Sequence, residues 1–441
     1  ADIAYILYTS GSTGRPNGVV IEQAALSNFL GSMRIEPGLT SANVLAAVTT
    51  ISFDIAGLEL YLPLVVGAQI ELISSDIASD GAELMQQLKE SKADVLQATP
   101  ATWRLLIEAG WRGGSGFRAL CGGEPLGRDL ASAILDRVDS LWNLYGPTET
   151  TIWSTIDKVE RNAAQITVGR PIANTQVYVL NRNGQPCPIG VAGEIWIGGA
   201  GVARGYHQRD LLSAERFVPD RFSGREGERL YKTGDIGRWR DDGRLVHGGR
   251  ADHQVKVRGH RIELGEIEAA LRSHPAVRQA VVVARETGDA DVRLVAYVVY
   301  AEEELTASEA RAHLRLTLPD YMLPSLYVAL DGIPLTPNGK IDRLALPDPY
   351  RRAASASVRT APATAMEHTI ARIWQDLLQV ESVSVEDNFF ELGGHSLLSL
   401  RAVSAIQKET GWRAPPRALF FQDLKQIAAS AQQNGMRAEA G

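Results

Sequence analysis

The pattern of apolar and polar positions divides the chain into segments of different period. Ile3 to Tyr8 is an apolar, aromatic and β-branched run that reads as a buried strand. Up to residue 110, helical and strand patterns then alternate. Residues 23–33, 81–91 and 100–109 have helical spacing, and 44–50 and 94–98 read as strands. Such alternation predicts an α/β architecture around a largely parallel sheet. From about 166 to 250 short strands are broken by Gly, Pro and Asn turns, as at Arg182-Asn183-Gly184 and Asp241-Asp242-Gly243, which reads as a β-rich portion.

The pattern shifts again near Arg250. A Glu-rich helix over 262–271, strands over 277–284 and 294–300, and a helix over 306–316 outline a small α+β unit ending near Pro347. That last helix opens on Thr306 with Glu309 three residues on, a capping box. Residues 348–364, rich in Arg, Ala, Ser and Pro, read as a linker. The remainder, 365–433, is nearly all helical, with helices expected over 367–378, 396–410 and 424–432. The expected division is therefore 1–250, 251–347, linker 348–364 and 365–433.

Composition narrows the classes. A 441-residue chain suggests about two to four domains. Apolar content of 45% and charged content of 22% are ordinary for a globular protein. A net charge of −7 without a basic stripe argues against a nucleic-acid binder. Cys121 and Cys187 make no disulfide framework and no metal-ligand spacing, so a reducing cytoplasm is the simplest home. The most apolar run, 58–73, is broken by Glu59, Pro63, Gly67, Gln69 and Glu71 and is not a membrane span. The chain begins directly before a strand, which points to a fragment of a longer polypeptide.

Six segments carry candidate chemistry. Thr9-Ser10-Gly11-Ser12-Thr13-Gly14 follows the first strand, and its hydroxyls and bare backbone suit a phosphate cradle; a flexible turn is the alternative. It is not a Walker loop, because no Gly-Lys-Ser/Thr follows. Asn143-Leu144-Tyr145-Gly146-Pro147-Thr148-Glu149 gathers an aromatic ring, hydroxyls and a carboxylate, enough to stack a base and hold a hard cation, or else a plain Tyr-Gly-Pro turn. The Gly-rich run 198–206 reads as a structural turn. Tyr231-Lys232-Thr233-Gly234-Asp235 sets an Asp beside a Gly turn, suited to a ribose diol or simply to the turn. Residues 249–259 form a charged connection, and Pro337-Asn338-Gly339-Lys340 is a turn that presents a Lys.

Together and in this order the six segments resemble the core motifs of the adenylate-forming superfamily, which includes acyl-CoA synthetases, luciferases and the adenylation domains of nonribosomal peptide synthetases. The resemblance runs from residue 3 to about 347. The tail resembles a peptidyl carrier domain through Asp387-Asn388-Phe389-Phe390-Glu391-Leu392-Gly393-Gly394-His395-Ser396-Leu397. Ser396 opens a helix whose Leu397, Leu400, Val403 and Ile406 form an apolar stripe.

The resemblance implies a large α/β N-terminal subdomain with a β-rich portion, a small α+β C-terminal subdomain and a helical-bundle carrier. It implies ATP and Mg²⁺ as reactants and 4'-phosphopantetheine on Ser396. By the same likeness Thr9 to Gly14 close over the β- and γ-phosphates, and Tyr145 stacks on adenine. Asn143 lies at the adenine edge, with Gly123, Glu124 and Gly146 alongside. Thr148 lies near the α-phosphate, Glu149 ligates the metal, and Asp235 and Arg250 take the ribose hydroxyls. Lys340 bridges the substrate carboxylate and the phosphate, a point-charge role suited to Lys. Asp252 matches a hinge about which the small subdomain turns between adenylation and thioester formation, exchanging Lys340 for the 256–259 segment. Two departures are visible: Asn17 stands where the family usually has Lys, and the family's N-terminal portion before the Thr/Ser/Gly loop is absent.

The likeness also aligns ten positions with the pocket that chooses the acid: Asp54, Ile55, Leu58, Gln97, Leu120, Gly122, Leu144, Ile152, Trp153 and Lys340. Asp54 matches the position that binds an α-ammonium group; its bland reading is the N-cap of the next helix. Leu, Ile and Trp side chains fill the space between, so a small amino acid is expected, glycine first and alanine second. An acyl- or aryl-acid ligase and a non-catalytic carrier-bearing fragment are the rival functions. Flanking condensation or thioesterase domains, a phosphopantetheinyl transferase and an MbtH-like helper are the implied partners; no nucleic acid or membrane is.

Overall fold

A computed structural model describes residues 2–10, 16–250, 255–257, 260–286, 292–301, 304–334, 341–343, 345–349, 360–378, 380, 382–390, 392, 394, 396–415, 418–419 and 422–439. The chain divides into two compact units, Ala1–Glu263 and Leu264–Gly441.

The first unit opens on strands β1 (Ile3–Thr9) and β2 (Asn17–Glu22) and helix α1 (Gln23–Met33), followed by β3 (Val44–Ala47), helix α2 (Ala56–Val66) and β4 (Gln69–Leu72). Next come β5 (Val95–Ala98), β6 (Arg118–Gly122), β7 (Ser140–Tyr145), β8 (Thr155–Lys158) and β9 (Arg170–Pro171). They form a seven-stranded sheet in the order β4-β3-β5-β6-β7-β8-β9. Its pairs from β4 to β7 are parallel and the last two antiparallel, as the helix–strand alternation predicts. Both faces are buried. Leu96, Trp103, Ala119 and Cys121 pack on one side, and Val95, Leu120, Leu144 and Trp153 on the other.

The β-rich portion comprises β10 (Thr175–Leu180), β11 (Gly193–Gly199), β12 (Gly205–Tyr206), β13 (Phe217–Pro219), β14 (Arg229–Trp239) and β15 (Leu245–Arg250). Strands β10, β11, β14 and β13 form a sheet in that order, with β15 on β14, while β12 joins β1 and β2 in a separate three-stranded sheet. The unit closes on a hairpin, β16 (Val255–Val257) and β17 (His260–Ile262).

Three expectations are corrected. The first strand exists but is not buried: Ile3 is 45% and Tyr8 62% exposed, because β1 is an edge strand. The strand expected over 44–50 ends at Ala47, since the Val48 and Thr49 amides bond to the Glu59 carboxylate rather than to a neighbouring strand. The segment 231–235 is not a turn but the middle of β14, bulged at Asp235/Gly237 where it pairs with β15.

In the second unit, β18 (Val277–Glu286), β19 (Val292–Tyr300) and β20 (Leu326–Ala329) form a sheet over which the helix Leu264–Arg272 packs. The Thr306–Glu309 capping box is present. Helices Ala365–Leu378, Ser396–Thr410 and Leu424–Glu439 enclose Trp374, Phe389, Ile406 and Ile427, with Trp374 and Phe389 edge to face at 5.2 Å. At the end of the expected linker, Thr360 exchanges bonds with Ser384 and Val385, and the Ala363 and Thr364 amides bond to Glu367.

Candidate active site

The carboxyl ends of parallel strands β5, β6 and β7 lie side by side, the place where open α/β sheets take ligands. They carry Gln97, then Leu120 and Gly122, then Asn143, Leu144 and Tyr145. After β7 the chain turns sharply. Thr151 and Ile152 have φ of 64° and 70°, a rare conformation for β-branched residues. Hydrogen bonds hold that turn in place: Thr151 Oγ1 donates to the Gly201 carbonyl at 2.7 Å, and the Ser154 amide to the Tyr145 carbonyl at 2.8 Å. The turn folds Ile152 and Trp153 under the strand ends, into one buried cluster with Ile55, Leu58, Leu120 and Leu144. A Cβ on Gly122 would lie 2.6 Å from Trp153 Cη2 and 2.8 Å from the Leu144 carbonyl oxygen, so only glycine fits beneath the indole.

Asp54 is buried, 6% exposed, just ahead of α2. The helix is capped at Ile55 without a side-chain bond, so Asp54 is not its N-cap. Burial raises the Tyr5 phenol pKa, and the Asp54 carboxylate adds to the shift.

Glu59 is fully buried and was read in the sequence only as a break in an apolar run. Its Oε2 accepts from the Val48 and Thr49 amides, at 2.9 and 3.0 Å, and its Oε1 from Thr49 Oγ1 at 2.6 Å and Gln97 Nε2 at 2.8 Å. Burial pushes its pKa from 4.5 up to about 7, against the opposing pull of those donated bonds. The folded carboxyl holds its proton to higher pH than the unfolded one. Its stabilising contribution is therefore complete below about pH 4.5 and lost as the pH rises to about 7. Glu59→Gln cannot ionise. Denaturant unfolding should show wild-type stability, relative to that variant, falling by up to about 3 kcal/mol across this window and levelling above it.

Beside this pocket a cavity of about 140 Å³ is lined by Gly123, Glu124, Asn143, Tyr145, Val168 and His247, among others. The Tyr145 hydroxyl donates to Asp235 Oδ2 at 2.6 Å, and its ring lies 5.2 Å from that of His247. Burial, then the Asp235 carboxylate, keeps the phenol protonated by raising its pKa well above the usual range. Asp235 pairs across the strands with Arg250, whose Nη1 donates to Oδ1 at 3.0 Å, and His247 Nε2 stands 3.7 Å away. Asn143 Nδ2 donates to the Thr167 carbonyl at 2.7 Å. A buried ring lining the cavity, anchored from behind by a carboxylate that pairs with a guanidinium, fits a planar heterocycle with a diol nearby. Asp235→Ala would leave the Arg250 charge and the Tyr145 hydroxyl without this carboxylate. Unfolding measurements should show a loss of about 3 kcal/mol.

Gly146, Thr148 and Glu149 follow β7 directly, the last two in a 3-10 turn. Glu149 is buried, and Tyr206 Oη donates to its Oε1 at 2.9 Å. A buried carboxylate beside a phenol hydroxyl offers the oxygen donors that a hard cation such as Mg²⁺ takes. The glycine-rich run 198–206 is thus more than a turn, since it delivers Tyr206. Thr9 ends β1 opposite Asn17, which starts β2, and Ser10 follows it. Gly11, Ser12, Thr13, Gly14, Asp252 and Lys340 lie outside the described residues.

In the second unit Ser396 opens its helix, as expected. Val403 and Ile406 of the expected stripe are buried, with Ser399 and Ala402; the side chains of Ser396, Leu397 and Leu400 lie outside the described set. A Cβ on Gly394 would lie 2.3 Å from Phe389 Cδ1, so the chain passes over that ring to reach the helix start only as glycine.

Glu59, Tyr206 and His247 are the residues that sequence reasoning missed. A charge inside the apolar α2 was the available signal for Glu59. Tyr206 closed the glycine-rich run 198–206 but was given no role there, and nothing local marked His247, which reaches the site from β15.

Three family models match the chain: the AMP-binding enzyme over residues 1–207, the AMP-binding enzyme C-terminal domain over 266–340 and the phosphopantetheine attachment site over 368–431. A dimodular nonribosomal peptide synthase of Bacillus subtilis (strain 168) is 47% identical over 99% of the chain and 19% of its own length. Tyrocidine synthase 3 of Brevibacillus parabrevis is 44% identical over 95% of the chain and 6% of its own length. The chain thus spans a fifth or less of these relatives. Among solved structures, a four-domain nonribosomal peptide synthetase bound to AMP and glycine is 41% identical, with a TM-score of 0.56 over 98% of this chain and 32% of that one. A protein with adenylation and carrier domains, bound to a vinylsulfonamide inhibitor, is 28% identical, with a TM-score of 0.78 over 97% and 72%. With the site's geometry these matches make the chain a member of the AMP-binding enzyme family, a nonribosomal peptide synthetase adenylation domain followed by a phosphopantetheine carrier domain.

Proposed function

We propose that the chain activates glycine with ATP and loads it as a thioester onto the arm of its own carrier, as one piece of a peptide-synthesising assembly. The observation that carries the choice of glycine is the Trp153 indole set against Gly122. With Ile55, Leu58, Leu120, Leu144 and Ile152 it fills the space that a side chain would need. A glycine-bound relative of 41% identity supports the same reading.

The substrate carboxylate is its own nucleophile. It attacks the α-phosphorus of ATP, an acyl–phosphate bond forms and pyrophosphate leaves. The protein's work is positioning and charge neutralisation. Asp54 takes the ammonium group and Lys340 the carboxylate and α-phosphate oxygens. Tyr145 lies on the adenine, Asn143, Gly123, Glu124 and Gly146 border it, and Asp235 and Arg250 hold the ribose. Thr148 and the Thr9–Gly14 loop face the phosphates, and Glu149 would hold Mg²⁺, which would supply charge neutralisation there. In the second step the arm's thiol attacks the acyl carbon and AMP leaves. Asp252 is the hinge between the steps.

The carrier requires a phosphopantetheinyl transferase, and flanking condensation or thioesterase domains and an MbtH-like protein complete the proposed partners. No helix among the described residues is long and apolar enough to cross a membrane. With Cys121 and Cys187 both free, we place the assembly in a reducing cytoplasm. The test is exchange of labelled pyrophosphate into ATP. Glycine should support it best, with alanine behind. Exchange only with aryl or fatty acids would overturn the reading, and none at all would favour a carrier scaffold.

A further inference from the structure

Glu59 touches none of the reacting groups assigned above, yet its carboxylate accepts four hydrogen bonds beside the pocket. We propose that Glu59 is a specificity-determining positioning residue: it fixes the Gln97 amide in one orientation, and Gln97 in turn locks the Trp153 indole over Gly122. The proposal deepens the glycine reading and rests on it.

The argument is one of hydrogen-bond polarity. A carboxylate only accepts. Gln97 Nε2 faces two acceptors, Glu59 Oε1 and the Ile55 carbonyl, each at 2.8 Å. Its Oε1 must then face the other way, where Trp153 Nε1 donates to it at 2.9 Å. All three side chains are buried, Gln97 and Glu59 completely. A reversed amide would set its NH₂ against the indole N–H and its oxygen against the carboxylate, a costly mismatch for fully buried groups. Glu59 is itself fixed by the Val48 and Thr49 amides and Thr49 Oγ1, at the end of β3. The order at that strand end is thus carried through α2 and β5 to the indole that closes the pocket. Glu59 acts on the substrate only through Gln97 and Trp153.

The experiment compares wild type with Glu59→Gln in the whole chain at pH 8, by pyrophosphate exchange with glycine and alanine. With amides at both positions, Gln97 is free to reverse, the indole loses its acceptor, and room opens for a methyl group. The alanine-to-glycine ratio of kcat/KM should rise about tenfold. In the spectrum of ¹⁵N-tryptophan-labelled protein the Trp153 indole N–H should shift and exchange faster with solvent. Equal losses for both amino acids, with that resonance unmoved, would overturn the proposal while leaving the glycine reading intact. A wild type that prefers another acid would overturn the glycine reading, and the indole resonance would still decide whether Glu59 positions Trp153. If Glu59→Gln does not fold, Trp153→Phe keeps most of the ring and removes the N–H; an unchanged ratio there would also refute the mechanism.

Discussion

Lys340→Ala is expected to remove glycine-dependent pyrophosphate exchange while leaving attachment of the phosphopantetheine arm intact. Adenylation places a carboxylate against a polyphosphate, two anions that repel. The proposed site offers them a carboxylate for the substrate ammonium, Asp54, and a carboxylate–guanidinium pair at the ribose, Asp235 and Arg250. Neither supplies positive charge at the reacting oxygens. Lys340 is the residue assigned there, and losing one such electrostatic contact costs about 10²- to 10³-fold in rate, or roughly 3–4 kcal/mol. The turnover number should fall by that factor. Mass measurement after treatment with the transferase should find the arm fully attached. Exchange at the wild-type rate would remove Lys340 from the site.

Ser396→Ala is expected to give the opposite pattern: no arm at all, with exchange unchanged. In the proposed assignment its hydroxyl forms the phosphodiester, so the expected loss is complete. The fold of the carrier should survive. Its core is built from Trp374, Phe389, Val403, Ile406 and Ile427. Removing a hydroxyl at a helix start costs about 1 kcal/mol where it caps the helix. Intact mass reads the arm and circular dichroism the fold. An arm found on the variant would place the attachment point elsewhere.

Much of this was legible in the sequence. The helix Gln23–Met33 and the helix starting at Ser396 fall where their period and boundary residues predict. The Thr306–Glu309 box was readable because both partners lie three residues apart. What was not legible depended on partners far along the chain. The strand beginning at Val44 stops early because Glu59, eleven residues beyond Val48, takes the next amides. Asp235 looked like a turn residue, yet it sits at a bulge whose meaning comes from Arg250 on β15 and Tyr145 on β7. Tyr206 and Glu149 meet across a separation of 57 residues. Local pattern picked out candidate segments; only tertiary packing revealed the polarity that runs from Glu59 to Trp153.

The two halves of the account meet in one product. The measurement that tests it most directly is the intact mass of the arm-bearing chain after incubation with ATP, Mg²⁺ and an equimolar mixture of glycine, alanine and benzoate. The account predicts a glycyl group on the Ser396 arm, released by hydroxylamine as a thioester should be. An arm that carries alanine or benzoate instead, or stays bare while fully attached, would contradict it.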